Sequence, residues 1–227
     1  MQYERMLYKY KSDENMEYIY DILENNRFYL AKREELNDPL EGASSMDFGF
    51  AGSSYYVGTP QMHTQYEDIL NEYRVLSLSE ENDNVVMWSH YANNYKGVCI
   101  ETCCNERVKE IKPVHYTRVI QHVSHKSFED TASKLLFFKA KEWNYECEWR
   151  YISKENYLKI KEGEITKIFI GYRTDPDNIR RLIEICMKQK IEVFIAMINP
   201  YEYRVEMKSL DEYRKCMKRV DKDWNEF

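Results

Sequence analysis

Four consecutive residues, Trp88-Ser89-His90-Tyr91, bring together an indole N–H, two hydroxyls and an imidazole. Histidine titrates near neutral pH, so His90 is a candidate general base or acid. Downstream, Glu146-Cys147-Glu148-Trp149-Arg150 sets two carboxylates and a guanidinium at alternate positions. A carboxylate such as Glu148 can orient an imidazole or stabilise positive charge that develops in a transition state. Upstream, Asn37 and Asp38 precede Pro39 in a turn-forming run, and Lys9 stands in an early alternating stretch. With His90 as base and Asp38 or Glu148 orienting it, these residues suit hydrolysis or phosphoryl transfer.

Each candidate also has a plainer reading. A histidine beside a tryptophan is often a hydrogen-bonded structural residue, and Glu146, Glu148 and Arg150 suit an ion-pair ladder along one strand. Metal chemistry draws little support, because His122-x-x-His125 and Cys99-x-x-x-Cys103-Cys104 lack zinc-ligand spacing. Cys99 in an apolar run and Cys147 without an adjacent base read as packing residues. Seven glycines, none in GxGxxG or Walker spacing, argue against a Rossmann dehydrogenase or a P-loop ATPase.

The elements that must position these groups alternate between two periods. Leu7-Tyr8-Lys9-Tyr10 reads as a strand, and Met16, Ile19, Tyr20 and Leu23 mark an amphipathic helix over 13–25 that Asn25-Asn26 ends. Further strands are expected at 27–31, 74–79, 97–101, 114–117, 146–152, 165–172, 191–198 and 203–207. In the 146–152 strand the charged face is expected to be the wet one. Helices are expected at 60–73, 124–141, 175–188 and 209–223, with Asp83 and Asn84 capping a helical turn after them. Residues 43–60 have no period and read as a mobile, lid-like loop. Strands and helices without a regular βαβ rhythm predict one α+β domain over 1–227, its sheet mixed, largely antiparallel and open to a split, flanked by helices.

Composition narrows the classes. A chain of 227 residues suits one sizeable core. Thirty-three basic against 39 acidic residues give a formal charge of -6, which offers no global field for nucleic acid or an anionic membrane. Six cysteines without framework spacing suit reduced thiols, and no apolar run suits a signal peptide or a span, so a cytoplasmic protein is expected. Twenty tyrosines fit a wide cleft or a half-polar core.

Several pieces together carry a resemblance: Leu7 to Tyr10, Leu36-Asn37-Asp38-Pro39 followed by Glu41, Met87 to Tyr91 with Gly97 and Glu101 after it, Lys139 to Trp143, and Glu146-x-Glu148-x-Arg150. In this order they resemble the bacterial family catalogued as domain of unknown function 2971 (DUF2971), over roughly residues 5–200. The resemblance implies a role in defence against phage. By analogy of architecture, an ADP-ribosyltransferase-like or NAD-glycohydrolase site follows, with NAD as cofactor and a protein or nucleic acid as acceptor. Glu148 and His90 would be catalytic. Lys9, Asn37, Asp38, Glu146 and Arg150 would hold the dinucleotide, and Trp88 or Tyr91 would flank its nicotinamide. The alternative is a non-enzymatic module that senses a nucleotide, peptide or partner through the same aromatic cleft.

Overall fold

The structure, a computed structural model, describes residues 5–47, 60–104, 109–124 and 128–220. The chain divides into two compact units. The first is assembled from residues 1–28, 78–108 and 159–227, and the second from 29–77 and 109–158. The content is α+β with a mixed sheet, as the element pattern predicts.

In the first unit the strands run in the order Val205–Ser209, Glu192–Ile198, Ile165–Gly171, Val98–Thr102, Leu7–Lys11. Ile165–Gly171 and Glu192–Ile198 pair in parallel through the connecting helix Pro176–Gln189, and the other neighbours pair antiparallel. That helix starts where the sequence says it should. Asp175 accepts the N–H of Asp177 at 2.9 Å, and Pro176 occupies the first turn, where its missing N–H costs nothing. Helix Met16–Asn25 closes on Asn26 in the left-handed region. All five residues of Val98–Thr102 are buried, so this strand is the floor of the core. Gly97 is required before it, because a Cβ there would overlap the Lys11 carbonyl oxygen.

In the second unit, helices Pro60–Glu72 and Phe128–Leu135 flank a core of Tyr66, Leu70, Val75, Ala132, Leu135 and Leu136. Its strands form short pairs: Ala31–Lys32 with Arg74–Val75, Ser44–Asp47 with Gln121–Ser124, His115–Thr117 with Phe138–Ala140, and Lys112–Pro113 with Trp149–Arg150. The helix expected over 124–141 is shorter. Phe138–Ala140 leaves it to pair in parallel with His115–Thr117, and a 3-10 turn takes Lys141–Glu146. Of the expected loop at 43–60, Ser44–Asp47 is a strand and 48–59 lie outside the described residues. The last helix is Leu210–Val220, and 221–223 likewise lie outside them.

Candidate functional site

Charged side chains collect inside the second unit. Arg150 is wholly buried on the strand Glu148–Ser153, and its five N–H donors all have acceptors. Nε gives a hydrogen bond to Glu148 Oε1 at 2.7 Å, and Nη2 one to Glu148 Oε2 at 2.9 Å. Nη2 and Nη1 grip Glu41 as a fork, at 2.5 and 2.6 Å, and Nη1 also donates to the Leu136 carbonyl. Lys139 completes the group. Its ammonium pairs with Glu146 and with Glu148 Oε2 at 3.1 Å, lies 3.9 Å from Glu41, and sits 4.9 Å from the Trp143 ring centroid.

Local backbone brings these residues to one point. Glu41 is held by a turn in which Asp38 Oδ1 accepts the Leu40 N–H at 2.9 Å and the Asp38 carbonyl accepts the Glu41 N–H at 3.1 Å. Gly42 follows at φ 69°, packed on Leu70 and Leu136, and its carbonyl accepts the Tyr66 hydroxyl at 2.7 Å. Glycine takes that φ without the strain a side chain adds, and a Cβ there would also press on Leu70 at 3.2 Å. Cys147, at φ 44°, inserts a left-handed step between Glu146 and Glu148, and both carboxylates reach the same lysine. Tyr116 accepts the Glu148 N–H at 2.8 Å and steadies the start of the strand.

Among the described residues, the carboxylates of Glu41, Glu146 and Glu148 thus meet the cations of Lys139 and Arg150 in a buried space. Burial works to raise the Glu148 carboxyl, but Arg150 and Lys139 outweigh it and hold it down to about 2. For Glu41 burial prevails over Arg150 and its carboxyl is raised.

Beside this network lies a cleft of about 220 Å³. Leu40, Val119, Ile120 and Phe138 supply apolar walls, Arg118 and Glu142 stand at the rim 3.6 Å apart, and Lys139 lines it from the network side. Lys139 belongs to both features. It is the link between a cavity and fixed charge.

The sequence expected the charges on 146–152 to face water, and this is corrected. Glu148 and Arg150 are 5% and 0% exposed, because Glu41 and Lys139, distant in sequence, compensate them. The alternation is present and its polar face is the inner one. Glu146, also buried, belongs to the 3-10 turn rather than the strand. Asp38 is buried beside them in sequence with Glu41, and its Oδ2 meets no hydrogen-bond partner among the described residues. Asn37 is exposed.

Lys9, Trp88, His90 and Tyr91 lie in the first unit. Lys9 is half-buried, opposite Ile100. Asn84 Oδ1 accepts from Val86 and Met87 and starts the helix Val85–Tyr91, which leaves His90 exposed and Tyr91 half-buried, their rings 6.4 Å apart. Trp88 is 0% exposed. It stacks on Tyr95 at 5.6 Å, takes the edge of Tyr10 at 5.5 Å and donates its N–H to the Asn82 carbonyl at 2.6 Å, so its ring is spent on the core. Asn93, Asn94 and Tyr95 behind it are all left-handed, at φ 44°, 52° and 66°.

Two groups escaped the sequence-based choice of site residues. Glu41 and Lys139 are central to the network, and the clue for Lys139 is a lysine inside the apolar run Leu135 to Ala140. In the first unit Glu101 is 3% exposed and accepts from Tyr8 at 3.1 Å, Thr166 at 2.7 Å and Lys167 at 2.9 Å. The strand irregularity at Ile165/Lys167 is what lets two successive residues reach it.

Residues 87–151 match the family described as protein of unknown function (DUF2971). The match bears out the family resemblance read from the sequence over 87–151, the middle part of the roughly 5–200 to which it was read. The DUF2971 stretch holds Trp88, His90 and Tyr91 of the first unit together with Lys139, Glu146, Glu148 and Arg150 of the second. No curated protein matches the chain, and no solved structure does.

Proposed function

We propose that this protein is an enzyme acting on a nucleotide, using NAD in an ADP-ribosyltransferase-like or glycohydrolase reaction, with phage defence as its setting. The observation that carries the reading is Lys139, shared between the cleft and the buried network of Glu41, Glu146, Glu148 and Arg150. A desolvated charge cluster with shifted titration beside a cavity is a functional-site candidate, and its net contribution to folding is a weak reason for its presence. A cleft of about 220 Å³ is smaller than the roughly 300–1,000 Å³ of drug-sized sites, so it fits the nicotinamide end of NAD and not the whole dinucleotide.

When bound, NAD would supply a glycosidic bond that is weakened as its ribosyl carbon gains positive charge. The protein would supply a fixed negative field behind Lys139, already oriented and shielded from water. Glu148, held ionised by Arg150 and Lys139, would act as a positioning residue for that lysine. The apolar walls of Ile120 and Phe138 would exclude water from the ring.

A non-enzymatic sensing module is the second reading. It is favoured by the saturation of Glu148 and Arg150, whose polar atoms are all committed to each other and to neighbours. Incubating the purified protein with NAD and cell extract separates the two. Nicotinamide release that disappears in folded Glu148→Gln supports the enzyme, with His90→Ala run beside it to test the imidazole. Binding of NAD without any product supports the sensor, and neither binding nor turnover removes the NAD reading and leaves the sensing module, with another nucleotide, a peptide or a partner as its ligand, in the lead.

A further inference from the structure

The cleft of the second unit has one buried polar side chain among its described walls. Thr117 and Gln121 each spend a donor on the Val119 carbonyl, at 3.4 and 3.1 Å. Arg118 and Glu142 are 75% and 69% exposed and pair at 3.6 Å, so water solvates both. Leu40, Val119, Ile120 and Phe138 are apolar. What is left is Lys139, whose side chain is 6% exposed.

An ammonium has three N–H donors. Among the described residues Lys139 gives hydrogen bonds to Glu146 and to Glu148, the latter at 3.1 Å, while Glu41 at 3.9 Å is too far to accept one. The Trp143 ring, its centroid 4.9 Å away, meets the charge with its face. One N–H is thus left for an acceptor in the cleft. What lies around that donor decides the acceptor's charge. A cation would be brought against the ammonium, and an anion against an ammonium already bonded to two carboxylates. An uncharged oxygen avoids both costs. Among uncharged carbonyl oxygens an amide's is the strongest acceptor, and a flat body suits a wall that carries the Phe138 ring.

We infer that the cleft of the second unit binds an uncharged, planar carboxamide whose oxygen accepts from Lys139. This deepens the NAD reading and rests on it for its biological meaning, since NAD carries a carboxamide on its nicotinamide ring. That ring is positive while bonded to ribose and neutral once the glycosidic electron pair stays with its nitrogen. A cleft that prefers the neutral form favours release, the ribosyl carbon passing to water or to the acceptor. The binding preference itself stands on Lys139 and the apolar walls.

The test uses four small probes of nearly one shape with the full chain: benzamide and nicotinamide as uncharged amides, benzoate as anion and benzamidinium as cation. Titrations are followed by calorimetry. Both amides are expected to bind, and each charged probe to bind about tenfold more weakly or worse. Benzamide labelled with carbon-13 at its carbonyl is expected to show that resonance move downfield on binding, the mark of a hydrogen bond from a cation. Lys139→Met is expected to abolish the amide preference. Because that change strips Glu146 and Glu148 of a partner and can unfold the unit, a second variant is run beside it. Ile120, 52% exposed on the wall, can be changed without touching the core. Ile120→Trp narrows the cleft and is expected to weaken both amides about tenfold, with a wild-type unfolding midpoint. Equal binding of amides and charged probes, tighter binding of a charged probe, an unmoved carbonyl resonance, an amide preference that survives in folded Lys139→Met, an indifferent Ile120→Trp, or no binding of any probe would each overturn the inference. Amide preference without NAD turnover would sink the enzymatic reading alone. Turnover without the preference would sink this inference alone.

Discussion

Arg150→Met is the sharpest perturbation of the network. Methionine fills much of the volume but supplies none of the five N–H donors, so Glu41 loses both its hydrogen bonds from Arg150 and Glu148 loses two. The two carboxylates stay buried, at 4% and 5% exposure, with Lys139 the remaining cation beside them among the described residues. Removing one partner from a buried ion pair costs about 3–5 kcal/mol, and we expect Arg150→Met in that range. Glu41→Gln alone should cost about 1–3 kcal/mol, because one arm of the fork is lost and an amide faces the guanidinium. In the Arg150→Met background the same change removes a stranded charge, so the double variant should be less destabilised than the sum by about 1–3 kcal/mol. Urea unfolding of all four proteins, with midpoints compared at equal slope, measures this cycle. The reasoning fails if Arg150→Met costs less than about 1 kcal/mol, or if the two costs simply add.

Other outcomes follow from the same structure. Glu148 is held at about 2 in the folded protein against an ordinary value near 4.5, so its stabilisation is full above 4.5 and is lost as pH falls toward 2. That shift corresponds to roughly 3 kcal/mol, and Glu148→Gln should flatten the acid limb of urea midpoints measured across that window. Glu41 works in the opposite sense, its raised carboxyl favouring the folded state below its ordinary value and losing that benefit as pH rises through the folded one. Lys190 caps the helix Pro176–Gln189 at φ 59° and is exposed, so Lys190→Gly should raise stability by about 0.5–1 kcal/mol, read as a higher melting temperature. Trp88→Phe should cost about 2–4 kcal/mol through the lost stacking area and the stranded Asn82 carbonyl, measured by chemical unfolding.

What could be read from the sequence is what depends on neighbours in sequence. Asp175-Pro176 announces a helix start, Asn84 a short helix, and Ile165 to Gly171 a strand, since caps and period-2 runs are local devices. The direction of the 146–152 strand's charged face was not readable. Alternation says that two faces differ, and only the arrival of Glu41 and Lys139 decides that the charged one is inside. The same pull explains why 138–140 leaves the expected helix: Phe138 to Ala140 finds a strand partner in His115 to Thr117, a contact no helical period encodes. Trp88 was visible as an aromatic of weight, but its role as core depends on Tyr10 and Tyr95 closing over it.

The interleaving of the two units bears on how the chain is born. Residues 29–77 leave the ribosome well before 109–158, and the second unit has all its parts only when the latter emerge, while the first still awaits 159–227. Glu41 and Arg150 are separated by 109 positions. At about 5–20 residues per second, Glu41 spends roughly 5–20 s in the growing chain without the guanidinium that will hold it. Until then it has to remain hydrated, and the turn around Asp38 stays near the surface. Synthesis of Arg150 thus sets the earliest moment at which the network can go dry, which makes the charge pair a late lock on an early turn.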